Sequence, residues 1–327
     1  AFSTDRRPIV CCRGTPARSP FTLNRPMKPL LFVSSLLWFM TSPLHAGERG
    51  AAWKQVDEAL AKGLPQTAIE AIEPIIRGAL ADQAWAEATK AICRKIAIEG
   101  QIQGAKAEEM ITRLDAQLPG APTAIRPLLQ TVLAEWYWQY FQQNRWRFMQ
   151  RTATAAPPGK DFTTWDLARL FAEIDRHFTA ALSAEALLQS TPIALWDDLL
   201  PKGGYPDTYR PTLYDFVAHQ ALAFYQSGEL GGTRPQDAFE ISADSPLFDA
   251  PAGFLAWKPE TTDTNAPAFK AIGLFQALLR FHANDAVKTA FLDADLARLI
   301  WGNNVAKAAG REARFISALE RFSEENG

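Results

Sequence analysis

The chain has 327 residues, enough for one large or two ordinary domains. Its composition, 47% hydrophobic and 21% charged, belongs to a globular protein and excludes a disordered one. Lys plus Arg number 34 against 36 for Asp plus Glu, a net charge of −2, so no basic excess points to nucleic acid.

Residues 1–26 begin without Met, are rich in Arg, Pro and Ser, and show no period. They read as upstream translation outside the mature protein. Met27 opens a different pattern, with Lys28, an apolar run from Leu30 to Met40, and Thr41-Ser42-Pro43-Leu44-His45-Ala46. A positive start, a short apolar run and a small residue at the end make 27–46 a signal peptide cleaved after Ala46. The run is too short to span an apolar layer of about 30 Å. An uncleaved N-terminal anchor is the alternative. The mature chain then starts near Gly47 and is exported, to the periplasm or cell envelope, meeting the membrane only through its transient signal peptide. Cys11 and Cys12 lie before the cleavage point. That leaves Cys93, which has no internal disulfide partner and reads as a small buried apolar residue.

From Ala51 onward the apolar residues recur at helical spacing. Ala51 to Ala61 places Trp53, Val56 and Leu60 on one stripe, closed by Gly63. Thr67 to Leu80 follows, with Pro74 expected to kink or end it. Asp82 is the expected N-cap of a helix running from Trp85 to Gly100, and Ala105 to Leu118 makes the next. Pro122 or Pro127 starts a helix carrying the densest aromatic stretch, Leu133 to Arg151. There Leu133, Trp136, Tyr137, Tyr140 and Phe141 share a face, while Trp138 lies off it and demands a second neighbour. Short connections between five such helices make 47–151 a set of antiparallel hairpins, with a unit length near that of tetratricopeptide repeats.

The second helical part is 152–327. Thr152 to Phe162 is a loop, and Thr163 or Thr164 caps a helix with Leu167, Leu170, Phe171, Ile174 and Phe178 in register. A short helix near Ile193 to Leu200 and one opened by Pro211 come next. Residues 228–267 carry many Gly and Pro, with apolar islands at Phe239, Ile241, Leu247, Phe248, Phe254, Leu255 and Trp257. This segment is too apolar for a disordered linker and too long for a turn, so it reads as an ordered non-helical excursion. Helical period returns over Ala268 to His282, Ala286 to Trp301 and Arg311 to Glu325. An array ending on an open helix reads as a truncated larger protein. The fold class is all-α, a tetratricopeptide-like stack of antiparallel hairpins with one long excursion.

No phosphate loop, dinucleotide fingerprint or nucleophile elbow occurs. His177, His219 and His282 stand singly, none with a His or Cys at i+3 or i+4, so no zinc site is expected. Asp197-Asp198 and Asp293-x-Asp295 read as solvated or capping acids rather than acid/base pairs. No catalytic residue, metal or cofactor is expected, and the chain reads as non-enzymatic. The candidate contact is Arg145-Trp146-Arg147. Its two readings are a core Trp flanked by arginines at a helix end, and an Arg/Trp anchor for another protein.

The segment AEWYWQYFQQNRWRFMQRT resembles the N-terminal helical region of large bacterial alpha-2-macroglobulin family proteins. The likeness continues through TTWDLARLFAEIDRHF, YRPTLYDFVAHQALAFYQSGE, TRPQDAFEI, KPETTDTNAPAFKAIGLFQALLRFH, DLARLIWGNNV and ISALERF. The resemblance implies the helical N-terminal module of an exported endopeptidase inhibitor, a scaffold or docking platform. Its implied partners are downstream macroglobulin-type domains of the same protein, and target proteases. Cys93 is followed by Arg94-Lys95-Ile96, which departs from the Cys-x-Glu-Gln thioester of many family members. The alternative is a free-standing exported helical-repeat adaptor.

Overall fold

A computed structural model of the protein describes residues 44–102, 104, 106–150, 159, 161–200, 204, 206–228 and 238–327, with side chains from Arg49 onward. The expected signal peptide up to residue 43, Cys11, Cys12, and the Pro157-Pro158, Gly231-Gly232 and Pro235 positions lie outside the described residues. Among the described residues the structure is all-α, with isolated bridges at Pro192/Thr212 and Ser242/Lys307 and no strand. No described helix is long and apolar enough to cross a membrane.

The described residues fall into two compact units, one ending at Ile102 and the other running from Lys106 to Gly327. Packing therefore divides the chain near 105, whereas position 151 lies within one unit. The reason is the aromatic helix, which packs against helices from both sides of position 151.

The first unit contains α1 (Leu44–Ala61), α2 (Pro65–Ala81) and α3 (Trp85–Ile102). Gly63, at φ +71°, turns the chain between α1 and α2 in a conformation costly for residues with a Cβ. Val56, Ala59, Ala68, Ile69, Ile72, Ile75, Ala91 and Ile98 make the core. Pro74 neither ends nor divides α2. It sits on the exposed face beside an exposed Glu70, where water can satisfy the carbonyl that the missing N–H leaves free. Asp82 does not cap α3. It stands at the C-terminal end of α2, and its carboxylate accepts from Arg49. Cys93 is fully buried.

The second unit contains α4 (Ala107–Gln117), α5 (Arg126–Gln143), α6 (Arg145–Met149), α7 (Leu167–Leu182), α8 (Glu185–Ser190), α9 (Leu213–Tyr225), α10 (Pro251–Ala256), α11 (Pro267–His282), α12 (Thr289–Val305) and α13 (Arg311–Asn326). Helix α5 buries apolar residues over most of its surface, leaving a stripe of Glu135, Gln139, Gln142 and Gln143 toward solvent, as suits a helix with several neighbours. It packs against α4, α7 and α9. Tyr137 stacks on His177 of α7 at 5.6 Å, Phe141 meets Phe171 of α7 edge-on at 4.8 Å, and Trp138 meets Phe224 of α9 at 5.6 Å.

Two caps differ from the sequence reading. Asp166, not Thr163 or Thr164, caps α7 by accepting from Arg169 N at 2.8 Å. Thr212, rather than Pro211, opens α9 in a capping box with Asp215. The excursion also differs, because its described part, 238–266, is not free of helix. It holds a single 3₁₀ turn at Pro246–Phe248 and the short α10. Ile241, Leu247, Phe248 and Phe254 are buried.

Arginines of α12 and α13 tie that segment down, and Arg280 of α11 adds a bond to Leu255 O at 3.1 Å. Arg298 of α12 is fully buried and donates to Asp295 at 2.6 Å, to Leu247 O at 2.5 Å and to Asp249 O at 3.1 Å. Its guanidinium lies over the Phe254 ring at 4.5 Å. Arg314 and Arg321 of α13 donate to Asp249 Oδ1 and Phe248 O at 2.8 and 2.9 Å. Gly302 allows the turn to approach α12. A Cβ there would lie 2.9 Å from Leu247 Cδ2.

Candidate functional site

A cavity of about 420 Å³ opens within the second unit. One wall is the α7 stripe Ala168, Phe171, Ala172 and Asp175, spaced i, i+3, i+4, i+7. The end of α9 adds Phe224 and Tyr225, and the start of α11 adds Lys270. The end of α12 contributes Trp301 and Val305, and the described part of the excursion adds Phe239, Glu240, Ile241 and Asp263.

Most charged groups of the cavity are held by one another. Tyr225 Oη donates to Asp175 Oδ1 at 2.8 Å, and Lys270 Nζ donates to Asp175 Oδ2 at 2.5 Å. Burial, then the Asp175 charge, pushes the Tyr225 hydroxyl well above the ordinary phenol range. It is therefore a donor at any physiological pH. Lys307 donates to Glu240. The Asp263 carboxylate accepts one long hydrogen bond, 3.4 Å from Phe239 N.

The histidines are each committed elsewhere. His177 is fully buried, its Nδ1 against Gln130 Oε1 and its Nε2 against the Arg176 guanidinium at 3.1 Å. Arg176 only donates, so Nε2 accepts and the ring is neutral with its proton on Nδ1. Burial first, and Arg176 second, lowers its pKa to about 4. His282 is the opposite case. Its Nε2 lies 2.7 Å from Asp215 Oδ1 and its Nδ1 lies 2.6 Å from Asp285 Oδ2. Both nitrogens face carboxylates, which calls for the imidazolium. Burial pulls its pKa down, but the bonds and charges of Asp215 and Asp285 outweigh it and hold the pKa above the ordinary value. His219 Nε2 and Arg210 Nε each lie 3.6 Å from Asp293 Oδ2. Burial opposes ionisation of Asp293, yet this pair keeps it below the usual carboxylate range.

The acids Asp293 and Asp295 are thus ion-paired and partly or fully enclosed, not solvated or capping as expected, because α12 is packed on two sides, with Asp293 facing Arg210 and His219 and Asp295 facing Arg298. Asp198 is exposed. No group of three His, Cys, Asp or Glu among the described residues can hold a metal ion.

Arg145, Trp146 and Arg147 lie on α6, away from the cavity lining. Both arginines are exposed, and Trp146 is 67% exposed, so it is not a core residue. The chain breaks its helix at Asn144, and this break rotates Trp146 outward while Phe148 is buried against Tyr140 and Phe141. Met149, 56% exposed, adds a second apolar side chain to the surface. Sequence reasoning missed Asp175, Lys270 and Asp263. Asp175 and Lys270 are 95 residues apart, and no local pattern joins them. Comparisons with protein families, curated proteins and solved structures found nothing that matches this chain.

Proposed function

We propose that the chain is the non-catalytic helical N-terminal module of an exported alpha-2-macroglobulin-like endopeptidase inhibitor, a scaffold that presents docking surface to downstream domains. The ordered series of resembling segments from Ala51 to Gly327 suggests the family. The observation that carries the docking role is Trp146. An exposed tryptophan between two arginines, on a short helix whose Phe148 is buried against Tyr140 and Phe141, has the composition of an interface anchor. In this reading the successive helices form tetratricopeptide-like antiparallel hairpins. The three-residue turns after α1 and α2, and the packing of α1 on α2 and α2 on α3, support that arrangement.

In this reading trapping belongs to the macroglobulin and bait domains. The purified chain incubated with a panel of endoproteases should leave their activity unchanged. Stoichiometric inhibition by the chain alone would contradict the assignment. The free-standing adaptor remains the second reading, favoured by the same exposed Trp146. Sequence downstream of Gly327 separates the two, since β-rich continuation supports the inhibitor and an immediate stop codon supports the adaptor.

A further inference from the structure

The cavity between α7, α9, α11 and the excursion has a charge pattern that selects its ligand. Among the described residues, three carboxylates, Asp175, Glu240 and Asp263, line it together with two ammonium groups, Lys270 and Lys307. Lys270 is held by Asp175 and Lys307 by Glu240. Asp263 has no cationic partner among the described residues; its Oδ2 accepts only the 3.4 Å bond from Phe239 N. The cavity wall carries aromatic rings, Phe171 and Phe224, which meet edge-on at 5.8 Å, and Phe239, whose backbone N–H is the group bonded to Asp263. Tyr225 and Trp301 complete the apolar wall.

We propose that this cavity binds an organic ammonium ion with an aromatic or apolar body, its charge held by Asp263 and its body by the ring-lined wall. The cavity volume of about 420 Å³ falls in the range of roughly 300–1,000 Å³ typical of small-molecule sites. An anion would find both lysines already engaged and would face the excess carboxylate. A cation finds one carboxylate uncompensated among the described residues, and its apolar body finds the rings of the same cavity wall. The site is independent of Trp146 and of the inhibitor reading.

Isothermal titration of the full chain at neutral pH and low salt tests this with two ligands of similar size and opposite charge, tryptamine and indole-3-propionate. Tryptamine should bind about tenfold more tightly than indole-3-propionate, the scale of one favourable against one unfavourable partly solvated charge contact. Asp263→Asn should weaken tryptamine binding about fivefold, and added salt should weaken it further. Asp244→Asn, which neutralises an exposed acid outside the cavity, should change nothing. Absence of tryptamine binding at millimolar concentration, equal binding of the two ligands, or undiminished binding by a folded Asp263→Asn variant would overturn the proposal. The two-ligand comparison uses the unmodified chain, so it decides the matter even if that variant fails to fold.

Discussion

Replacing Arg298 with Met tests how the excursion is held. Arg298 has no exposed surface, and the Asp295 side chain is 5% exposed. Met keeps the apolar stem and loses the charge, the donors to Leu247 O and Asp249 O, and the contact over Phe254. Removing one partner of a buried ion pair typically costs about 3–5 kcal/mol, because the other charge stays buried and unpaired. Denaturant unfolding at neutral pH should show a loss of that size. Hydrogen exchange should accelerate at 247–257, the stretch that loses its anchor.

The deficit should also depend on pH. Burial already holds Asp295 above the ordinary carboxylate range despite Arg298. Without Arg298 the folded-state value rises further. A raised carboxylate costs the fold nothing below its unfolded pKa, and the penalty grows as pH rises through its folded pKa. The Arg298→Met deficit should therefore shrink on acidification. Adding Asp295→Leu should restore much of the lost stability at neutral pH. A loss under about 0.5 kcal/mol, as at an ordinary surface position, or strictly additive effects of the two substitutions, would refute this account.

Trp136→Ala and Tyr140→Ala should each cost about 3–5 kcal/mol in chemical denaturation, since both rings are buried. Trp146→Ala, at an exposed position, should stay within about 0.5 kcal/mol of wild type. Gly302→Ala should lower stability by about 1–3 kcal/mol through overpacking against Leu247 and Phe248. His282 and His177 should act with opposite signs in stability–pH profiles. The raised pKa of His282 contributes stability that is full below the ordinary 6.5 and is lost as pH climbs through the folded value. The His177 value of about 4 contributes stability that is present above 6.5 and lost as pH falls toward 4. His282→Gln should flatten the alkaline limb and His177→Gln the acidic one, and unchanged limbs would argue against these protonation states.

Most helices were legible in the sequence because helical periodicity is local. The stripe Leu167, Leu170, Phe171, Ile174 and Phe178 predicts α7, and Gly63 predicts the end of α1. Trp138, off the main apolar face of α5, likewise announces a helix with more than one neighbour. Local pattern was silent or misleading where the deciding partner is distant in sequence. Asp82 looks like a cap until Arg49 takes its carboxylate. Asp295 looks solvated until α12 turns it inward beside Arg298 and the excursion. His282 finds Asp215 across 67 residues, and its charge state follows from that meeting. Trp146 reads equally as core or surface until the break at Asn144 rotates it outward. Spacing along the chain determines which residues share a helix face. Which carboxylate meets which cation, and what space is left between helices, depends on desolvation and packing, and these exist only once the helices have come together.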